Sequence, residues 1–217
     1  MPLVKLSRPA SRLAVRRVNA AASSRNSALI VIDLQTDYVS GGDLVAGQAS
    51  PLLTAFPELP RNVSRALASA RARDTPVVHV RERDSAADSA WLPWWEALHG
   101  RGVGAGSHCV AEPWAAEEGD EPVFVKHAYD AFSSGDVSDR LVAHLRALRT
   151  ERLYFAGALT KACVMFSANT AFTLGFEVFV LSDCCADRSR EHHDAVLSVY
   201  DGYHVRVVES SEAFPAS

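Results

Sequence analysis

Residues 28–33 read ALIVID, an unbroken apolar run closed by the carboxylate of Asp33. A run with no polar alternation suits a strand buried on both faces, the mark of a parallel sheet lying between helices. Working outward, Arg61–Arg73 sets Val63, Ala66, Leu67 and Ala70 at helical spacing behind Pro60, a helix start signal. PVVHVR at Pro76–Arg81 reads as a second strand and EPVFVK at Glu121–Lys126 as a third. Val137–Leu148 reads as a helix, Arg152–Gly157 as a fourth strand, and Lys161–Leu174 as a helix stopped by Gly175. Glu177–Asp183 is a fifth strand, Ser189–Tyr200 a helix and His204–Val208 a sixth strand. Strands alternating with helices predict an α/β fold: a three-layer α/β/α sandwich on a mostly parallel six-stranded sheet.

The chain has 217 residues, of which 48% are hydrophobic and 22% charged, with a net charge of −4. That composition fits one globular domain, and the acidic balance offers no basic field for nucleic acid. No apolar stretch approaches the roughly 18 residues of a membrane span. Charge is unevenly placed. Residues 1–32 hold six basic residues (Lys5, Arg8, Arg12, Arg16, Arg17, Arg25) and no acidic one, leaving 16 basic against 26 acidic residues, a net of −10, for the remainder. Residues 1–26 therefore read either as a transit-like segment, giving an organelle such as the mitochondrion, or as a basic arm on a cytoplasmic protein. Residues 27–217 form the domain.

Between the second and third strands, residues 84–120 break the rhythm. They hold all four tryptophans (Trp91, Trp94, Trp95, Trp114) and the piece GRGVGAGS. The segment reads as a crossover helix with a loop, and equally as a pocket wall or subunit interface. Its glycines match no phosphate-binding motif, which removes a nucleotide-binding reading. Cys109, Cys163, Cys184 and Cys185 show neither a CxxC pair nor framework spacing, so neither a disulfide scaffold nor a zinc knuckle is expected.

Three reactive residues fall at strand ends. Asp33 closes strand one, Lys126 closes strand three, and Cys163 opens the helix after strand four. Ligands of open parallel sheets bind beyond the carboxyl ends of the strands, where the strand order reverses. A helix amino terminus and a nearby ammonium would lower the Cys163 pKa toward roughly 7, making about half of it thiolate. Thr160 is placed to cap that helix. Asp33 would take the thiol proton and hand it to a leaving amine, and Lys126 would hold the Asp33 charge. Each has a plainer reading: a buried small hydrophobe, a turn-capping carboxylate and a surface ammonium.

Three stretches carry a resemblance: ALIVIDLQTDYV at 28–39, VFVKHAYDAFSSGDV at 123–137, and FAGALTKACVMFSANTAFTLGFEVFVLSDCCAD at 155–187. In this order and spacing they resemble the isochorismatase-like cysteine hydrolases, a group that includes nicotinamidases and N-carbamoylsarcosine amidohydrolases. The resemblance implies a sheet of order 3-2-1-4-5-6 and a triad of Asp33, Lys126 and Cys163. It implies attack of Cys163 on a small carboxamide, ureido or lactam carbonyl through a thioester. Backbone N–H groups of Leu159 and Cys163 would hold the oxyanion beside a cis peptide at Ala158–Leu159.

Nicotinamidases carry a metal site built on an Asp-x-His pair. The matching stretch HVRERD at His79–Asp84 has no such pair, so His79 is expected to pack within its strand, and no metal or other cofactor is expected. His192 and His193 are expected to be helix surface or packing, and Thr170, standing where the family commonly has an acid, to affect packing. An isochorismatase, which cleaves a vinyl ether with the aspartate as general acid, is the alternative. Arg81, Arg83, Arg101 and Lys161 are the bases it would draw on. A binding module with an inert triad is the third reading. Substrate contacts are assigned by position to Gln35, Tyr38, Trp91, Trp95 and Phe132. The partners expected are a small-molecule substrate and further copies of the chain, a dimer or tetramer.

Overall fold

The computed structural model describes residues 26–35, 51–83, 88–99, 121–133 and 135–215. The amino-terminal arm, Tyr38, Arg101, Cys109, Trp114 and the glycine-rich piece lie outside them. Strand β1 spans Ser27–Ile32. Helices α1 (Pro51–Ala55) and α2 (Leu59–Arg71) lead to β2 (Val77–Glu82). Helix α3 (Leu92–His99) lies within the tryptophan-rich segment, and β3 (Val123–Lys126), α4 (Asp136–Ala147) and β4 (Arg152–Ala158) follow. One π-helical turn, Thr160–Val164, runs into α5 (Met165–Thr173). The described chain ends with β5 (Glu177–Ala186), α6 (Arg190–Tyr200), β6 (Arg206–Val208) and α7 (Ser210–Ala213).

All six strands form one parallel sheet in the order β3-β2-β1-β4-β5-β6. The apolar run of β1 divides by alternation, as two-sided burial requires. Ala28, Ile30 and Ile32 join one core with Leu141, Leu145, Val164 and Ala168 from α4, the π turn and α5. Leu29 and Val31 join the other, with Val63, Leu67 and Ala70 from α2. Helix α2 exists because those residues share one face and Pro60 occupies its first turn, where a missing N–H costs nothing. Among the described residues no helix is long and apolar enough to cross a membrane.

Boundaries shift in two informative places. Strand β5 runs three residues past its expected end at Asp183, taking in Cys184, Cys185 and Ala186, all fully buried. Strand β2 reaches Glu82 rather than stopping at Arg81, and that one residue matters below.

Strand order reverses between β1 and β4. There Gly157 pairs with Ile32. Its φ is +137°, and a Cβ at this position would stand 2.0 Å from the Ile32 carbonyl oxygen. Only glycine admits both the conformation and the approach.

Candidate active site

The sheet delivers its polar residues to one end. Asp33 follows β1 with φ 51°, a left-handed conformation that aspartate tolerates better than most residues but that is still sparsely populated. Glu82 and Lys126 are register partners at the ends of β2 and β3. Cys163 sits in the π turn after β4, and the Ala158–Leu159 peptide that leads into it is cis. All four side chains are buried.

Lys126 is the hub. Its Nζ lies 2.8 Å from Asp33 Oδ2, 3.4 Å from Glu82 Oε1 and 3.5 Å from Cys163 Sγ. Two carboxylates and a thiol thus surround one ammonium. Among the described residues Glu82 Oε1 is buried and meets Lys126 at ion-pair distance without a well-aligned hydrogen bond. Asp33, Glu82 and Cys163 bring potential ligand atoms within 4.8 Å of one another. The ammonium already contacts all three, so a metal ion there would have to displace it.

Burial raises the Asp33 carboxyl from 3.8 to about 7; Lys126 opposes the shift and Glu82 adds to it. Burial works against the Lys126 ammonium, but its anionic neighbours outweigh that and hold its pKa well above the usual value. The thiol departs from expectation. Burial pushes Cys163 well above its ordinary value, with Asp33 and Glu82 reinforcing the shift and Lys126 opposing it. Desolvation of the anion beside two carboxylates outweighs the single ammonium. These influences favour the protonated form of the sulfur.

Supporting contacts fix these groups. Gln35, assigned to substrate from sequence, accepts the Glu82 N–H through its side-chain oxygen at 2.9 Å and ties the end of β1 to β2. Phe132 is buried in the core against Phe155 and Phe176. Trp91 is half-buried, donates its indole N–H to the His127 carbonyl and packs on Tyr129; Trp95 is also half-buried. Thr160 does not cap its helix; its hydroxyl pairs with His193 Nδ1 at 2.8 Å. The Thr170 hydroxyl donates to Asp130 and Ser167 accepts the Ala131 N–H, which pins the loop after β3 to α5.

His79 is fully buried, with Nε2 2.8 Å from Glu121 Oε2. Glu121 in turn takes a bidentate pair from Arg71 at 2.8 and 2.9 Å. By strand alternation His79 and Glu82 project from opposite faces of β2. His79 is therefore committed away from the cluster.

Sequence reasoning missed Glu82. It stands in the run Arg81, Glu82, Arg83, where charge alternates and nothing marks which residue turns inward. The available signal was register: two residues further along β2 than Val80, it shares the face of that core residue.

The sheet, its order and this end-of-strand cluster define a parallel α/β protein with a buried polar site where the strand order reverses. The isochorismatase domain model matches residues 27–212, and the chain belongs to that family. It is 27% identical over 179 residues to Nicotinamidase 3 of Arabidopsis thaliana, covering 81% of this chain and 80% of that protein. It is 26% identical over 193 residues to maleamate amidohydrolase of Pseudomonas putida, covering 87% and 85%. An isochorismatase family protein of Desulfovibrio vulgaris shares the fold with a TM-score of 0.67 at 24% identity, covering 86% of this chain and 95% of that one.

Proposed function

We propose that this hydrolase cleaves the C–N bond of a small carboxamide, ureido or lactam substrate, with Cys163 as nucleophile. The observation that carries the reading is the contact of one buried ammonium with both Asp33 and Cys163. Asp33, raised to about 7, is matched to proton transfer near neutrality, where a general base works best. Asp33 takes the proton from Sγ as sulfur adds to the carbonyl carbon, and the carbonyl electron pair moves to oxygen. Backbone N–H groups of Leu159 and Cys163 are assigned to that oxyanion. As the C–N bond breaks, Asp33 protonates the departing nitrogen and a thioester remains. Water then adds with its proton passing to Asp33, and the carboxylic acid leaves as the thiol is restored. Lys126 holds the Asp33 charge throughout.

The nicotinamidase and amidohydrolase relatives support the amide class. One observation favours a second reading: a carboxyl raised to about 7 can also act as the general acid of a vinyl ether hydrolysis giving pyruvate. Trp91 and Trp95 remain the proposed substrate wall. The exposed Trp94 and Leu98 on α3 suit a homo-oligomeric contact, to be read by size-exclusion chromatography.

The test is hydrolysis of a panel (nicotinamide, N-carbamoylsarcosine, maleamate, ureidoacrylate, a lactam and isochorismate) by wild type, Cys163→Ala and Asp33→Ala. Ammonia or amine release lost in both variants is the expected result. Pyruvate release that survives Cys163→Ala but not Asp33→Ala would transfer the assignment to the vinyl ether.

A further inference from the structure

The site holds one more buried carboxyl group than the proposed chemistry uses. Glu82 is only 6% exposed, and its Oε1 meets Lys126 Nζ at 3.4 Å, an ion-pair contact with no well-aligned hydrogen bond among the described residues. A buried carboxylate in that condition is costly to keep, and a neutral residue of similar shape would fill the same space. Its placement is also built. The Gln35 side chain holds the Glu82 backbone N–H, and the β2–β3 register sets Glu82 directly beside Lys126.

We propose that Glu82 is a positioning residue of this site: it steers the Lys126 ammonium between Asp33 and Cys163 and, by its charge, strengthens Asp33 as acceptor of the thiol proton. This rests on the thiol reading above but not on the identity of the substrate. Among the described residues the titratable groups facing Asp33 are Glu82 from β2, Lys126 from β3 and Cys163 from the π turn. Lys126 alone would draw Asp33 toward a weak, permanently ionised carboxylate. A second negative charge on the same ammonium divides that pull, and the Asp33 carboxyl is correspondingly higher. The same charge keeps the sulfur protonated until a substrate displaces water, which guards it against adventitious alkylation and oxidation.

Glu82→Gln keeps shape and removes charge. Its first readout is the pH dependence of Cys163 alkylation by iodoacetamide in the full-length protein, which needs no substrate. The acid limb is expected to move down by roughly one pH unit, since removing a like charge lowers both Asp33 and the thiol. On whichever panel substrate wild type turns over, kcat should fall about tenfold while KM stays within about twofold, the signature of a group that acts on the reacting step. Glu82→Asp, which retains the charge, should keep the wild-type limb and recover part of kcat. It also serves if Glu82→Gln fails to fold. Superimposable alkylation profiles for wild type and Glu82→Gln, or a Glu82→Asp profile displaced like that expected of Gln, would overturn the proposal. A displaced limb with no hydrolysis of any panel amide would leave Glu82 in this role and sink the amide reading instead.

Discussion

Strand β2 carries two buried charge clusters on opposite faces, and they are built on opposite rules. On one, Glu121 receives Arg71 Nε at 2.8 Å, Arg71 Nη2 at 2.9 Å and His79 Nε2 at 2.8 Å, so both its oxygens have donors. Burial lowers the His79 pKa, and among the described residues its Nδ1 has no hydrogen-bond partner. On the other face, three acceptors share one ammonium, and among the described residues Glu82 Oε1 has no well-aligned hydrogen bond. Satisfied buried polar groups hold structure together, while unsatisfied ones ask for an explanation. On the proposed mechanism that explanation is chemistry, with a donor arriving on the substrate.

The largest expected effect breaks the second cluster at its sulfur. Cys163→Ala should lower kcat/KM by roughly 10⁴ or more, with a melting temperature close to wild type because no charge is stranded. Lys126→Met should abolish turnover and also cost about 3–5 kcal/mol in urea unfolding, since two carboxylates lose their buried counter-charge. That cost should shrink as pH falls and the carboxylates take up protons. If Lys126→Met is as stable as wild type at pH 8, the ammonium is not the hub described here.

Next comes pH. In the proposed mechanism Asp33 must be ionised to accept the thiol proton, so kcat/KM should fall about tenfold per unit below about pH 7. Stability runs the other way for this group. Its folded pKa is raised above the unfolded value, so its contribution is complete below about pH 4 and is lost as pH rises through about 7. Asp33→Asn should remove that drift from the pH dependence of the urea midpoint.

The first cluster answers only in stability. Glu121→Gln should cost about 1–3 kcal/mol, as buried donors lose a charged acceptor, while kcat/KM stays within about twofold. Smallest of all, joint replacement of Arg71, His79 and Glu121 by Met, Leu and Leu should change stability by less than about 1 kcal/mol, because a buried ion network and a packed apolar one are often close in energy. A large loss of activity in either variant would erase the distinction between the two faces.

How much of this was legible follows from what sequence encodes locally. ALIVID announced a two-sided strand because neither of its faces can be polar, and Asp33, Lys126 and Cys163 stood at readable strand ends. Glu82 was not legible, since strand two read as ending at Arg81 and a one-residue extension decides what reaches the site. The direction of the Cys163 shift failed for a related reason. A helix terminus and a lysine are visible in sequence, whereas depth of burial and a second carboxylate belong to the assembled fold. Gln35 and Phe132 were placed near the site by position; within the fold Gln35 also accepts the Glu82 N–H and Phe132 packs in the core.

The missing side chain at Gly157 bears on how this enzyme can change. A single added methyl would have to push β1 away from β4, because the Ile32 carbonyl already fills its place, and Asp33 is the next residue along. The spacing of Asp33 from Cys163 therefore depends on a vacancy on the neighbouring strand. Variants selected for new substrates should accumulate freely around the pocket wall and leave position 157 untouched.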